Sequence, residues 1–365
     1  MSYMGKRIES LDFLKAFLVL TVLTEHYFGT SCFDNVGKHD FPMLFWFCEI
    51  TNAFFRGQSV PVYFFISGYL FFLGGNFSFD KYFKKIKSRV KSLLFPYMIW
   101  NTIAVIMLVA VLSSTLTSMM KFGNHIDFSI SNLLSCYWIY DGHLAGVDIP
   151  SSNAPLNMPL WYIRDMIVMV VISPAIDWLL RKVGVIFLLV VLGLWIYTSI
   201  EIPFIYYPKE AMFFFSLGAF FSLKGKDIMI FSARWLKFSL LIYILISILL
   251  TVGGYYEIKN IFLLKFLNIM VGLLLSISFA SYISKGKLIT STKKYFVSAF
   301  FIYLSHGLIN SKIIKIFILL INPDSDMGYI TLLLLSYFSS ILLLYSLYKA
   351  LDRFAPRVLS ACIGR

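Results

Sequence analysis

Four ionisable side chains, Asp12, Lys15, Glu25 and His26, lie in one otherwise apolar stretch near the start of the 365-residue chain. Read as a helix, Asp12, Lys15, Val19, Val22 and His26 share one stripe, because steps of three and four residues return to the same face. Lys15 and His26 are eleven residues apart, about 16 Å along the axis at roughly 1.5 Å per residue. Imidazole changes charge near neutral pH. It can take the proton of a hydroxyl as that oxygen attacks a carbonyl, or be acylated itself and pass the group on. Asp12 and Lys15 either pair beside this chemistry or mark a membrane interface by snorkelling. Glu25 sits about 100° round the helix from His26, which argues against its orienting the imidazole directly.

The setting of these groups decides their meaning. Hydrophobic residues make up 59% of the chain and charged residues 14%, against roughly 25% charge in soluble domains; the mean hydropathy is +0.79. Such a chain cannot cover itself with a polar surface, and bilayer burial is the remedy. A spanning helix needs about 20 mostly apolar residues. The sequence predicts an all-α polytopic membrane protein with about ten such helices: 11–31, 59–75, 93–118, 159–180, 184–200, 209–223, 231–252, 260–284, 296–321 and 328–350. An ionisable group inside a span is costly and points to function by default.

The gaps between segments alternate in charge. Lys6 and Arg7, the run from Lys81 to Lys91, Arg181 and Lys182, Lys224 to Lys237, Lys285 to Lys294 and Lys349 to Arg365 together hold 22 of the 32 basic residues. The positive-inside rule places these gaps and both termini in the cytoplasm, with 32–58 and 119–158 outside. The net charge of +13 thus reflects topology, and no nucleic-acid partner is expected. Segment 41–56, with Pro42 and Glu49, reads as an interfacial or re-entrant helix. The polar stretch 119–158 is too short for a core of its own, so residues 1–355 form one transmembrane domain and 356–365 a short cytoplasmic tail. The first apolar run continues past Ala16 without a small-residue cleavage site, unlike a signal peptide.

Cys32, Cys48, Cys136 and Cys362 form no CxxC pair; Cys32 and Cys48 either bridge on an outer loop or stay free thiols like the others. His39, His125 and His143 fall on outer loops without metal-like spacing, and no metal is expected. Several further patterns lie within or beside the spans. Pro61 to Tyr69 contains Ser67-Gly68, small residues that allow close helix approach. The basic run Lys84 to Lys91 precedes Leu93-Leu94-Phe95-Pro96-Tyr97. Then come Leu160-Trp161-Tyr162-Ile163-Arg164 and Tyr303-Leu304-Ser305-His306-Gly307.

In this order the patterns resemble the membrane acyltransferase 3 family, whose members mostly O-acetylate bacterial surface glycans. The resemblance rests on Leu11-Asp12-Phe13-Leu14-Lys15 with His26 eleven residues on, on Phe64 to Tyr69, on the basic loop leading to Pro96, and on Tyr303 to His306. It covers residues 7 to about 310. It implies a multi-pass protein of the bacterial inner membrane, an acyl-CoA donor (acetyl-CoA by default) in the cytoplasm, and a carbohydrate or glycolipid acceptor, commonly on the outer face. It further implies His26 as catalytic residue with Lys15 and Asp12 at the inner mouth, and Arg89 and Lys91 as grips for CoA phosphates through charge-assisted bonds. Lys15 stands where many members have Arg, and Ser92 where a second arginine would follow Arg89. On the acceptor or pathway side, Ser67 either hydrogen-bonds substrate or packs helices. Arg164 either holds an acceptor or counters Asp165, and His306 is either a structural hydrogen-bond donor or part of the site. Loop 119–158 is the expected acceptor surface. The competing class is a glycan flippase or polymerase of the same pathways, which would not require the Lys15–His26 stripe.

Overall fold

In lipid every backbone polar group must be satisfied within its own segment, so apolar runs of this length have to be helical. The computed structural model describes residues 3–30, 33, 36–74, 78–113, 127–145, 153–197, 207–284 and 288–365, with backbone alone for 3–8 and 288–296. Among these residues all regular structure is helix. The order is α1 (Tyr3–Tyr27), α2 (Pro42–Phe55), α3 (Ser59–Phe72), α4 (Phe79–Arg89), a π-helical turn (Val90–Leu94), α5 (Phe95–Leu112), α6 (Ile130–Ser135), α7 (Trp161–Lys182) and α8 (Val185–Ile196). Then follow α9 (Lys209–Leu223), α10 (Ile228–Ser232), α11 (Leu236–Tyr255), α12 (Phe262–Ile283), α13 (Leu288–Ile321), α14 (Asp326–Phe354) and α15 (Pro356–Ile363).

Among the described residues, five helical stretches are long and apolar enough to cross a membrane: Phe79–Leu112, Ile228–Tyr255, Phe262–Ile283, Val297–Ile321 and Asp326–Phe354. They carry exposed apolar side chains such as Leu241, Leu249, Leu319 and Leu342. Apolar α8 is shorter. The remaining expected spans coincide with α1, α3, α7 and α9. Two of these are interrupted by charge, Asp12, Lys15 and Glu25 in α1 and Arg164, Asp165 and Asp177 in α7. The other two are only 14 and 15 residues long. They differ because they are shielded by protein: twelve of the fourteen α3 residues are buried. A helix wrapped by other helices needs no continuous lipid-facing surface, so it can carry polar groups.

The Ser67-Gly68 step does allow close approach. A Cβ on Gly68 would lie 2.0 Å from the Phe215 carbonyl oxygen, and one on Gly218 2.0 Å from that of Phe65. Helices α3 and α9 therefore cross backbone to backbone. Gly218→Val should lower the melting temperature of the purified protein, because overpacking typically costs about 1–3 kcal/mol. Gly193→Val, where an added Cβ meets nothing within 4 Å, is the control; equal melting of the two variants would overturn the crossing. Residues 356–363 form α15, which buries Leu359, Cys362 and Ile363. The Trp100 indole donates to the Cys362 carbonyl at 3.0 Å. Gly364, at φ +69°, packs so tightly that a Cβ would come 2.4 Å from the Lys91 carbonyl oxygen. Cys48, Cys136 and Cys362 are buried thiols; Cys32 lies outside the described residues.

Candidate functional site

The site begins at a local conflict in the chain. Pro96 has no N–H, and its ring would crowd the carbonyl four residues earlier. The helix yields by forming the π-helical turn, in which the Phe95 amide reaches the Val90 carbonyl. Such π turns recur at functional sites. This one turns Arg89, Ser92 and Leu93 onto the wall of a cavity of about 560 Å³. The buried Ser92 hydroxyl has no hydrogen-bond partner there. Glu9, Asp12, Lys15 and Val19 of α1, Tyr63 and Ser67 of α3, Tyr162 of α7, Tyr303 of α13 and Arg365 after α15 also line it.

Of the residues expected from sequence, the cavity gathers Asp12, Lys15, Ser67 and Arg89. Lys15 Nζ lies 3.2 Å from Asp12 Oδ1, with side chains 31% and 55% exposed. A pair this exposed contributes at most about 1 kcal/mol, so both groups remain available to a ligand. Lys91 is exposed and is not part of the wall. Arg365 lines the same cavity as Ser92 and Arg89, and so adds a second arginine to that wall.

Above this mouth runs a column of rings. The Tyr63 hydroxyl donates to the Lys15 carbonyl, the Tyr162 hydroxyl faces Ser67, and the Tyr303 hydroxyl donates to the Pro159 carbonyl. Ring centroids are 5.4 Å apart for Tyr63 and Tyr162, 6.0 Å for Tyr162 and Tyr303, and 5.9 Å for Tyr303 and His306. The column ends on two imidazoles, His26 and His306, with centroids 5.1 Å apart. His306 is wholly buried, and its Nδ1 lies 2.7 Å from the Tyr303 carbonyl oxygen. A carbonyl only accepts, so Nδ1 carries the proton and Nε2 keeps a lone pair. That Nε2 has no hydrogen-bond partner. A buried polar atom left unpaired needs an explanation, and a substrate proton or the neighbouring His26 can supply one. The packing that sets this geometry comes from Gly307: a Cβ there would lie 2.6 Å from Asn157 Oδ1 and 2.7 Å from Pro159 Cδ.

On the far side of His26, Glu25 accepts from the Gly57 amide at 2.9 Å and does not reach round to the imidazole. Arg56 is within electrostatic reach of both Glu25 and His26. Glu210 is within reach of Glu25 and Asp165. Arg56 and Glu210 were not foreseen, since both sit at segment edges, where a charge reads as an ordinary flank. The three tyrosines lay within the motif stretches; phenol hydroxyls repeated in apolar segments were the available signal.

Arg164 is 1% exposed. Its Nε lies 3.0 Å from Asp165 Oδ1, its Nη1 2.5 Å from the Trp138 carbonyl oxygen and its Nη2 2.8 Å from that of Asn153. It counters Asp165 and ties α7 to the preceding loop, and it is not on the wall of the cavity that holds Arg89. Of the loop histidines, His143 Nδ1 pairs with Asp141 Oδ2 at 3.0 Å, while His125 lies outside the described residues. Burial pushes the Cys136 thiol up to about 11, which leaves it protonated and unreactive at neutral pH. Among the described residues, no three His, Cys, Asp or Glu side chains cluster as a metal site would require.

A helical bundle with lipid-ready apolar faces, a cavity lined by Lys15, Arg89 and Arg365 with Glu9 and Asp12, and a half-buried and a buried imidazole beyond it has the makings of a membrane-embedded group-transfer enzyme. Residues 8–349 match the acyltransferase domain family, and the chain belongs to it; five helical stretches among its described residues are long and apolar enough to cross a membrane. It is similar to the succinoglycan biosynthesis protein ExoH of Rhizobium meliloti (strain 1021), at 27% identity over 226 residues, 61% of this chain and 54% of that protein. The match therefore spans about half the length of the curated relative. No solved structure matches the chain.

Proposed function

We propose that the protein moves an acyl group, acetyl in the simplest case, from cytoplasmic acyl-CoA to a hydroxyl of a surface glycan or its lipid-linked precursor. The observation that supports this is the cavity lined by Arg89, Arg365, Lys15 and Asp12, whose wall residues Tyr63, Tyr162 and Tyr303 pack ring to ring up to His306, which in turn meets His26. Likeness to a protein of succinoglycan biosynthesis supports a glycan acceptor. The phosphates of CoA stay at the cationic mouth while its long, thin arm carries the thioester inward. His26 takes the proton of the attacking acceptor hydroxyl. The new ester C–O bond forms as the C–S bond breaks; the thiolate leaves and takes up a proton to give free CoA. His306, held by its Nδ1–H bond, presents Nε2 to this centre and positions His26.

Mass spectrometry of surface glycan with and without the gene tests the reading directly. An acyl-sized mass difference on otherwise intact glycan is expected, whereas loss of the glycan itself would indicate a flippase or polymerase. Donor binding gives a second test. Charge-assisted bonds contribute on the order of 1.5–3 kcal/mol, so Arg89→Ala should raise the KM for acyl-CoA roughly ten- to a hundredfold, with Arg365→Ala acting in the same direction. Lys91→Ala, outside the cavity wall, should be nearly silent. Unchanged donor dependence in both arginine variants would remove them from the donor site.

Ten spans with both ends inside, and donor and acceptor on opposite faces, complete the proposal; the charge bias of the gaps supports it. Ser131→Cys, on the exposed face of α6, should react with an impermeant thiol reagent in intact cells, and Ser88→Cys on α4 should not. The reverse pattern would overturn the direction of transfer.

A further inference from the structure

A second cavity, of about 540 Å³, lies at the opposite end of the bundle from the donor mouth, between the end of α2, the end of α11 and the start of α12. Its polar wall consists of Glu49, Asn52, Arg56, Lys265 and Asn268, with Gly57 at its base. The base connects it to the imidazoles: the Gly57 amide holds the carboxylate of Glu25, the neighbour of His26, and Arg56 is in electrostatic reach of Glu25 and His26 alike. The first cavity's Tyr303 thus touches His306, and the second cavity's Arg56 is in electrostatic reach of His26.

The chemistry of this wall is specific. Arg56 and Lys265 are both exposed. Glu49 is within electrostatic reach of both, yet among the described residues it closes an ion pair with neither. Two cations against one carboxylate leave the cavity with an excess positive charge. Glu49 is set in place by Gly254, where a Cβ would lie 2.0 Å from its Oε2. Asn268 is fixed by Gln58 at 2.6 Å and Ser247 at 3.0 Å, so this wall is preorganised and not a loose surface. One helical turn before Glu49, Trp46 stacks on Tyr255 at 3.9 Å and 12°, with Tyr256 edge-on at 6.1 Å. Trp46 and Tyr255 cover each other's faces, and Lys38 lies over the Tyr255 ring at 4.4 Å; the groups left to a sugar are the amide and carboxylate side chains of the wall, which suit the hydroxyls round its edge. The two cations ask in addition for an anion.

We propose that this cavity is the acceptor subsite and that it takes an acidic saccharide, one whose carboxylate or phosphate is held by Arg56 and Lys265 while a free hydroxyl points down toward His26. This rests on the acyl-transfer reading above, and it moves acceptor recognition from loop 119–158 to α2, α11 and α12.

The test is saturation-transfer NMR on the full chain in detergent, with three probes: methyl β-D-glucuronide, glucose 1-phosphate and methyl β-D-glucoside. The wild type should bind one anionic probe roughly tenfold or more tightly than the neutral glucoside, as expected for charge-assisted bonds; which one tells carboxylate from phosphate. Lys265→Ala and Arg56→Gln should each abolish that preference, and Lys265→Arg should restore it. Acetyl-CoA binding by the same variants is the control for folding. Equal binding of all three probes, binding of none, or a preference that survives both substitutions would overturn the proposal. A wild type that binds the acidic sugar but transfers no label from acetyl-CoA would instead refute the acyl-transfer reading.

Discussion

His26→Ala should abolish acyl transfer while the protein still inserts and accumulates. General acid–base catalysis contributes about 10²–10⁴-fold, so label passing from acyl-CoA to glycan should fall to near background. Deleting the side chain should not prevent folding, because the contacts that anchor α1 lie elsewhere: the Thr21–Ser59 hydroxyl bond at 2.5 Å, the Tyr27–Ser340 bond at 2.5 Å and the Glu25–Gly57 bond. A well-expressed variant with wild-type glycan acylation would remove His26 from the chemistry. The control is Glu25→Gln, which keeps an oxygen for the Gly57 amide. Because Glu25 faces that amide and not the imidazole, this change should leave much of the rate.

The stripe that carries His26 was legible because it depends only on helical periodicity along one segment. The apolar faces of α11, α12 and α14 were legible for a similar reason: lipid demands uninterrupted apolar residues, and composition records that demand. Helices α3 and α9 are shorter, and α1 and α7 more charged, than a span that faces lipid along its whole length, yet their segments are apolar enough to be expected as spans from sequence. They are the helices that build the site or pack against it, and protein surrounds them in place of lipid. What stayed hidden is what arises between distant segments. The meeting of His26 with His306 joins residues 280 positions apart in the chain. Arg365 reaches the donor cavity only because α15 docks on the π turn, with Gly364 against the Lys91 carbonyl. Arg164 illustrates the converse. It read as either an acceptor ligand or a partner for Asp165, and only the placement of the Trp138 and Asn153 carbonyls shows its donors turned to protein.

His306→Asn separates a structural from a functional imidazole more sharply than alanine would. The asparagine amide can reproduce the Nδ1–H bond to the Tyr303 carbonyl, now 2.7 Å, but it has nothing at the position of Nε2. If His306 serves only to close that bond, the variant should fold and work like the wild type. If Nε2 positions His26, the variant should fold equally well yet lose about a hundredfold in kcat, within the range for a group acting in proton transfer. The KM for acyl-CoA should stay put, because Arg89, Arg365 and Lys15 line a cavity whose wall includes Tyr303 but not His306. His306→Gln offers the reverse arrangement, with an amide near the Nε2 position and none at Nδ1, and should recover part of the rate if a polar atom facing His26 is what matters. Alanine at the same place confounds the two effects, since it also vacates a wholly buried ring and leaves a cavity costing several kcal/mol. A kcat within twofold of wild type for His306→Asn, in protein of normal melting temperature, would assign the unpaired Nε2 no part in transfer and leave His26 as the working imidazole.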